Sequence, residues 1–236
     1  MRILAFDTAT RSAAVALVDT TSGEALELRD DPPRGARPAH TSLLMALTVR
    51  ALDRAGVDWD AIDRIAVGVG PGTFTGLRIG VATARALSIA RGLPLVGVST
   101  LRSLAAAAAA DADGGVAAVI DARRGEAFAG AWRSTAIGIE DAAALAPAAL
   151  SPDELGSRLA ALGGGWLAVG DGATAFRRTL EAAGARVPAD EDPVHLVSAI
   201  QHARLAASQM PSDGADVVPE YLRAPDAEIA LTGARR

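Results

Sequence analysis

The chain has 236 residues, half of them hydrophobic but only 3% aromatic, and a formal net charge of −5. That suffices for one large domain or two small lobes with aliphatic cores, and the negative balance argues against standalone nucleic-acid binding. The absence of cysteine excludes disulfides, a thiol nucleophile and Cys-based metal sites; all 23 basic residues are arginine, which removes P-loop and Schiff-base lysine chemistry as well.

The N-terminus, MRILAFDTAT, meets Asp7 too early for a signal peptide or a membrane span, and the apolar stretch 104–110 is too short to cross a bilayer. A cytoplasmic protein is expected. Residues 2–6 read as a buried strand ending at Asp7, and 13–18 as its hairpin partner across a turn bearing Thr8, Thr10 and Ser12. Residues 30–38 read as a loop. A helix follows over 39–54, closed by Gly56. A strand over 65–69 feeds the loop 70–76, and a second helix runs over 77–90 to Gly92. Residues 95–98 form a strand, and Ser99 caps a helix through the alanine run.

The loop 111–115 is the best boundary, giving lobes 1–110 and 111–236, with the final helix and tail free to pack back on the first. Residues 116–120 and 126–132 form a strand–turn–strand unit with Asp121 at the turn. It echoes the opening hairpin and suggests an internal duplication. Ser151-Pro152-Asp153-Glu154 is a capping box. Residues 167–169 form a strand entering Gly170-Asp171-Gly172. A last long helix is expected from Asp192-Pro193 to about 209, followed by a strand-like stretch 217–222 and twelve loose residues.

Three turns carry possible chemistry. A strand-end aspartate beside small hydroxyls and turn amides can hold a metal–phosphate group, so Asp7, Thr8, Asp121, Gly170, Asp171 and Gly172 are candidates to face one cleft. Equally, such aspartates can simply end strands and satisfy turn amides. The layout is similar to a degenerate α/β two-lobed actin, Hsp70 and sugar-kinase (ribonuclease H-like) fold. The segment GPGTFTGLRIG, residues 70–80, is neither a Walker A motif nor a dinucleotide fingerprint. Its helix is apolar on two sides: Leu77, Val81, Ala84 and Leu87 on one, Ile79, Ala82, Ala86 and Ile89 on another. The helix before it adds a broad apolar face through His40, Leu43, Leu44 and Leu47. On pattern alone, these faces are taken up inside the lobe.

His40 stands alone, and His195 and His202 are seven apart, a spacing unlike that of a zinc pair on a helix. Surface or capping roles are expected for all three, and no metal site. Gly97-Val98-Ser99-Thr100-Leu101 lacks the second glycine of a nucleophile elbow.

The runs ILAFDTAT, VGVGPGTFTGLRIGVATARALSIARGLPLVGVSTL, IDARRGEAFA and PEYLRA together resemble the TsaB (YeaZ) family over nearly the whole chain. The resemblance implies a non-catalytic scaffold that binds its catalytic paralogue TsaD and works with the ATPase TsaE. That assembly installs threonylcarbamoyl on adenosine 37 of tRNAs reading codons that begin with A. It further implies no cofactor of the chain's own, ATP or ADP and metal belonging to TsaD and TsaE, tRNA contact only through the complex, and a homodimer when the chain is alone. TsaD carries metal-binding histidines where this chain reads Ser99-Thr100-Leu101-Arg102-Ser103-Leu104. The family's association through helices of the first lobe reverses the pattern-only preference. It implies a partner interface at His40, Leu43, Leu44, Leu47, Gly72, Phe74, Thr75, Gly76, Leu77, Arg78, Gly80, Val81, Ala84 and Arg85, with Leu43, Leu47, Gly80 and Ala84 in direct approach. Two other functions stay open: a small Mg-nucleotide-dependent phosphotransferase using Asp7 and Asp121, and a homodimeric regulatory module.

Overall fold

A computed structural model describes residues 1–33, 35–36, 38–212 and 214–223. In chain order the elements are β1 (Arg2–Asp7), β2 (Ala13–Asp19), β3 (Ala25–Asp30), α1 (His40–Ala55), β4 (Arg64–Gly70), α2 (Phe74–Arg91), β5 (Leu95–Ser99), α3 (Thr100–Ala107), β6 (Gly115–Arg123) and β7 (Glu126–Thr135). These are followed by β8 (Gly138–Ile139), β9 (Leu145–Leu150), α4 (Pro152–Leu162), β10 (Trp166–Val169), α5 (Asp171–Ala175), α6 (Arg177–Ala182) and α7 (Ala199–Ser208).

The first sheet has the order β3-β2-β1-β4-β5, with β1 and β2 antiparallel and β4 and β5 parallel to β1. Every residue of β1 after Arg2 is buried, because both faces of the sheet are covered. On one face, Leu44, Leu47, Val81 and Ala84 of α1 and α2 share a core with Phe6, Val15 and Val67. On the other, Ala199, Ala203 and Ala206 of α7 pack on Ile3, Ala5 and Val96.

The second sheet repeats the plan. β6 lies between an antiparallel β7 and a parallel β10, and β9 pairs with β7 as β3 does with β2. α4 and α6 cover one face through Leu155, Leu159 and Leu180. α3 covers the other: Leu101, Leu104 and Ala105 share a core with Val116, Ala118 and Ile120. α3 thus follows β5 directly and packs on the second sheet, while α7 returns to the first.

Several expected boundaries shift for identifiable reasons. α2 begins at Phe74, three residues earlier than expected, and the loop before it is only 71–73. Three strands escape a reading by pattern, the two-residue β8 among them. β3 is a half-polar edge strand, and β9 carries Pro147, which only an edge strand with β7 on one side can hold. The expected last helix divides into a 3-10 turn, Pro193–His195, and α7. The break follows from Glu27 of β3, whose Oε1 accepts the N–H groups of Ala199 (2.5 Å) and Ile200 (3.2 Å) and the Ser198 hydroxyl (3.1 Å). A carboxylate from another element thus supplies the N-terminal cap of α7. Residues 217–222 belong to no sheet, although Glu220 N–H donates to Val69 O at 2.7 Å. The twelve residues expected to be loose lie outside the described residues.

Candidate functional site

The opening turn does not present its aspartate to a ligand. Asp7 and Thr8 are each 1% exposed. The Asp7 carboxylate points inward, where Oδ1 accepts the Ala9 N–H at 2.7 Å and Oδ2 accepts the Thr100 hydroxyl at 2.8 Å. His202 Nε2 lies 3.1 Å from the same Oδ2, and His202 Nδ1 is 2.8 Å from Ser103 Oγ and 2.9 Å from Ser198 O. Burial alone pushes the Asp7 carboxyl up; the contact with His202, its charge, and the Ala9 and Thr100 donors outweigh that and hold it below the usual carboxylate range. Gly68 makes room for the pair, since a Cβ there would stand 1.7 Å from Asp7 Oδ2.

The other two turns meet each other. Asp121 N–H donates to Asp171 Oδ1 at 3.0 Å. Burial, with the nearby Asp121 charge, pushes the Asp171 carboxyl up against the opposing pull of the Asp121 N–H, Arg123 and the Gly172 N–H. Gly170 and Gly172 are small for packing: added Cβ atoms would meet Val119 O at 2.1 Å and Ile120 C at 2.8 Å. Between the lobes a cavity of about 170 Å³ remains, lined by Thr10, Arg11, Ser12, Asp171, His195 and Leu196 among others. Small-molecule sites usually run from about 300 Å³ upward. Of the candidate residues, the cleft is lined by Asp171 alone, together with Thr10 and Ser12 of the first turn, while Asp7, Thr8, Asp121, Gly170 and Gly172 do not line it.

All three histidines are buried, contrary to the surface roles expected of them. His40 Nε2 is 3.0 Å from Arg11 O. His195 Nδ1 accepts the Gly170 N–H at 3.1 Å, and its Nε2 is 3.2 Å from Pro188 O. Backbone groups that would otherwise be unsatisfied explain these positions better than patterning does. Among the described residues, no three His, Cys, Asp or Glu side chains are grouped to hold a metal.

The glycines of GPGTFTGLRIG bring α2 onto the first turn. Cβ atoms at Gly72, Gly76 and Gly80 would stand 2.3 Å from Ala9 O, 1.9 Å from Thr8 O and 2.5 Å from Thr8 Oγ1. Thr8 Oγ1 donates to Gly76 O at 2.8 Å, and Thr73 N–H to Ala9 O at 2.7 Å. This divides the expected interface. Leu44, Leu47, Gly76, Leu77, Gly80, Val81 and Ala84 face the lobe's own interior, as does His40. Direct approach of Leu47, Gly80 and Ala84 to another subunit is therefore corrected: Leu47 and Ala84 pack into the lobe's own core and Gly80 abuts Thr8. Thr75 and Arg78 are exposed, and Leu43, Gly72, Phe74 and Arg85 are half-buried.

The outward side of α2 is instead the second apolar row, with Ala82, Ala86 and Ile89 exposed, Ile89 by 80%. On α1, the other helix on this face of the sheet, Met45 and Val49 are 39% and 45% exposed. No described helix is long and apolar enough to cross a membrane.

Residues 32–164 match the family model described as TsaD, tRNA N6-adenosine threonylcarbamoyltransferase. The tRNA threonylcarbamoyladenosine biosynthesis protein TsaB of Escherichia coli is 37% identical over 177 residues, spanning 73% of this chain and 72% of that protein. The solved structure of YeaZ from Pseudomonas aeruginosa superposes with a TM-score of 0.75 at 29% identity, covering 93% of this chain and all of that one. A ROK hexokinase from Thermus thermophilus shares the fold alone, with a TM-score of 0.52 at 14% identity over 88% of this chain and 99% of that one. Sequence and architecture agree: the chain belongs to the TsaB (YeaZ) family.

Proposed function

We propose that this chain is a non-catalytic scaffold subunit in threonylcarbamoyladenosine formation on tRNA, pairing with a TsaD-type subunit in the cytoplasm and working with TsaE. The observation that carries this reading is the uncovered apolar row of α2, Ala82, Ala86 and Ile89, with Met45 and Val49 exposed on α1, the other helix covering this face of the sheet. Small residues along a helix let another helix approach closely, and large aliphatic ones supply area to bury. The inward turn of Asp7 supports the same reading, because its carboxylate is committed to Ala9, Thr100 and His202 and faces no cleft. ATP, metal and tRNA contacts then belong to the partners. The same face serves a homodimer when the catalytic partner is absent.

The test uses Ala86→Arg, an exposed position whose change leaves the core intact. Co-purification with the TsaD-type subunit should fall by roughly 30-fold or more in affinity, about 2 kcal/mol, with the melting midpoint unchanged. Modified adenosine in tRNA should drop in cells carrying only that variant. Unchanged affinity and unchanged modification would refute the reading.

A further inference from the structure

Residues 217–223 cross from one lobe to the other within seven positions. Val217 is buried in the first core. Glu220 N–H bonds Val69 O at 2.7 Å, just before the α2 loop. Tyr221 then reaches the first turn of α2: its ring centroid is 5.3 Å from that of Phe74, and its hydroxyl accepts from Arg78 Nε at 3.2 Å. The Arg78 guanidinium lies 3.8 Å from the Phe74 ring centroid. Beyond Tyr221, Leu222 packs on the core of the second lobe. Arg223 holds the β6–β7 hairpin through Glu126 Oε2 at 2.6 Å and Ala122 O at 2.9 Å.

We propose that this segment is a strap that presents Tyr221 as an anchor of the partner face, with Arg223 as the residue that positions it. The proposal rests on the reading of α1 and α2 above and extends that face past the first turn of α2. Helical spacing places Phe74 and Arg78 in line with Ala82, Ala86 and Ile89, so Tyr221, 41% exposed, stands at the end of the same row. Tyrosine and arginine are the side chains most often found as interface anchors, and Tyr221 is already oriented by its neighbours before any partner arrives. Arg78 spends its guanidinium on a neutral hydroxyl and a ring, and so keeps its charge for a carboxylate. The occupant is the TsaD-type subunit, through an apolar helical surface bearing an acidic side chain opposite Arg78.

The experiment compares affinities of the purified full-length chain for that subunit in Tyr221→Ala, Tyr221→Phe, Arg223→Ala and Ala86→Arg, with amide hydrogen exchange on the free proteins. Tyr221→Ala should weaken binding at least tenfold, while Tyr221→Phe stays within about threefold because the ring remains. Arg223→Ala should weaken binding severalfold and speed exchange in residues 70–78 without lowering the melting midpoint of the chain. Wild-type affinity for Tyr221→Ala and Arg223→Ala, alongside a loss for Ala86→Arg, overturns the strap and leaves the helix-face reading standing. Loss for Tyr221→Ala with wild-type affinity for Ala86→Arg overturns the helix face and keeps the strap as the contact.

Discussion

His202 Nε2 stands 3.1 Å from Asp7 Oδ2, with both side chains sealed from solvent, so a strand of the first sheet and the helix behind it are joined by a buried polar contact. The other ring nitrogen faces Ser103 Oγ and Ser198 O, and Thr100 donates to the same carboxylate. The pair lies where the chain crosses from β5 into α3, and α7 returns to the first lobe beside it. It thus ties the crossing points of both lobes.

Removing one partner leaves the other side chain buried without its polar contact. Asp7→Ala and His202→Ala should each cost about 3–5 kcal/mol by chemical denaturation, and the double variant clearly less than the sum. Additive losses would show that the two groups are not coupled.

The same pair sets an acid limit. Asp7 titrates below its ordinary value of 3.8 in the folded chain, so its stabilisation is complete above that value and disappears as pH falls through the lower folded value. Stability measured from pH 5 downward should fall more gently in Asp7→Asn than in the wild type. Parallel curves would assign acid loss to other carboxylates.

Much of this architecture was legible from β1, whose continuous apolar run and terminal Asp7 mark a central strand, and from Gly56 and Gly92, which end α1 and α2 in left-handed turns. Ser99 and Ser151 cap α3 and α4 as their spacing suggests. The inward turn of Asp7 was not legible, because nothing local in DTAT distinguishes a ligand from a partner of a histidine far along the chain. Thr100 and Ser103 carried a faint signal: two hydroxyls in the first turn of a helix whose only other polar residue is Arg102. The two sides of α2 are equally apolar in sequence, and only the sheet beneath decides which one stays uncovered.

Gly76 and Gly68 should be among the least replaceable residues. A methyl group at Gly76 meets the backbone oxygen of Thr8 at 1.9 Å, and one at Gly68 meets Asp7 Oδ2 at 1.7 Å. Gly76→Ala and Gly68→Ala should each cost about 1–3 kcal/mol or more, whereas Gly165→Ala, which meets nothing within 4 Å, should stay near neutral. Melting midpoints of the three variants decide this directly. Equal midpoints would mean that α2 can back away from the Thr8 turn at little cost.

Asp171 offers the opposite titration to Asp7. Its carboxyl is pushed above 3.8 by burial and by Asp121, so the folded chain binds its proton more tightly than the unfolded chain does. Stability from this group is therefore greatest in acid and is lost as pH rises from 3.8 through the higher folded value. At neutral pH the ionised side chain works against folding. Asp171→Asn keeps an oxygen to accept the Asp121 N–H and removes the charge. It should raise the melting midpoint at pH 7, with the gain shrinking as the pH falls toward 4. A lower midpoint at pH 7 would mean that the charge at Asp171 is needed in the cleft, and with it that this turn holds a cation or a donor-rich ligand after all.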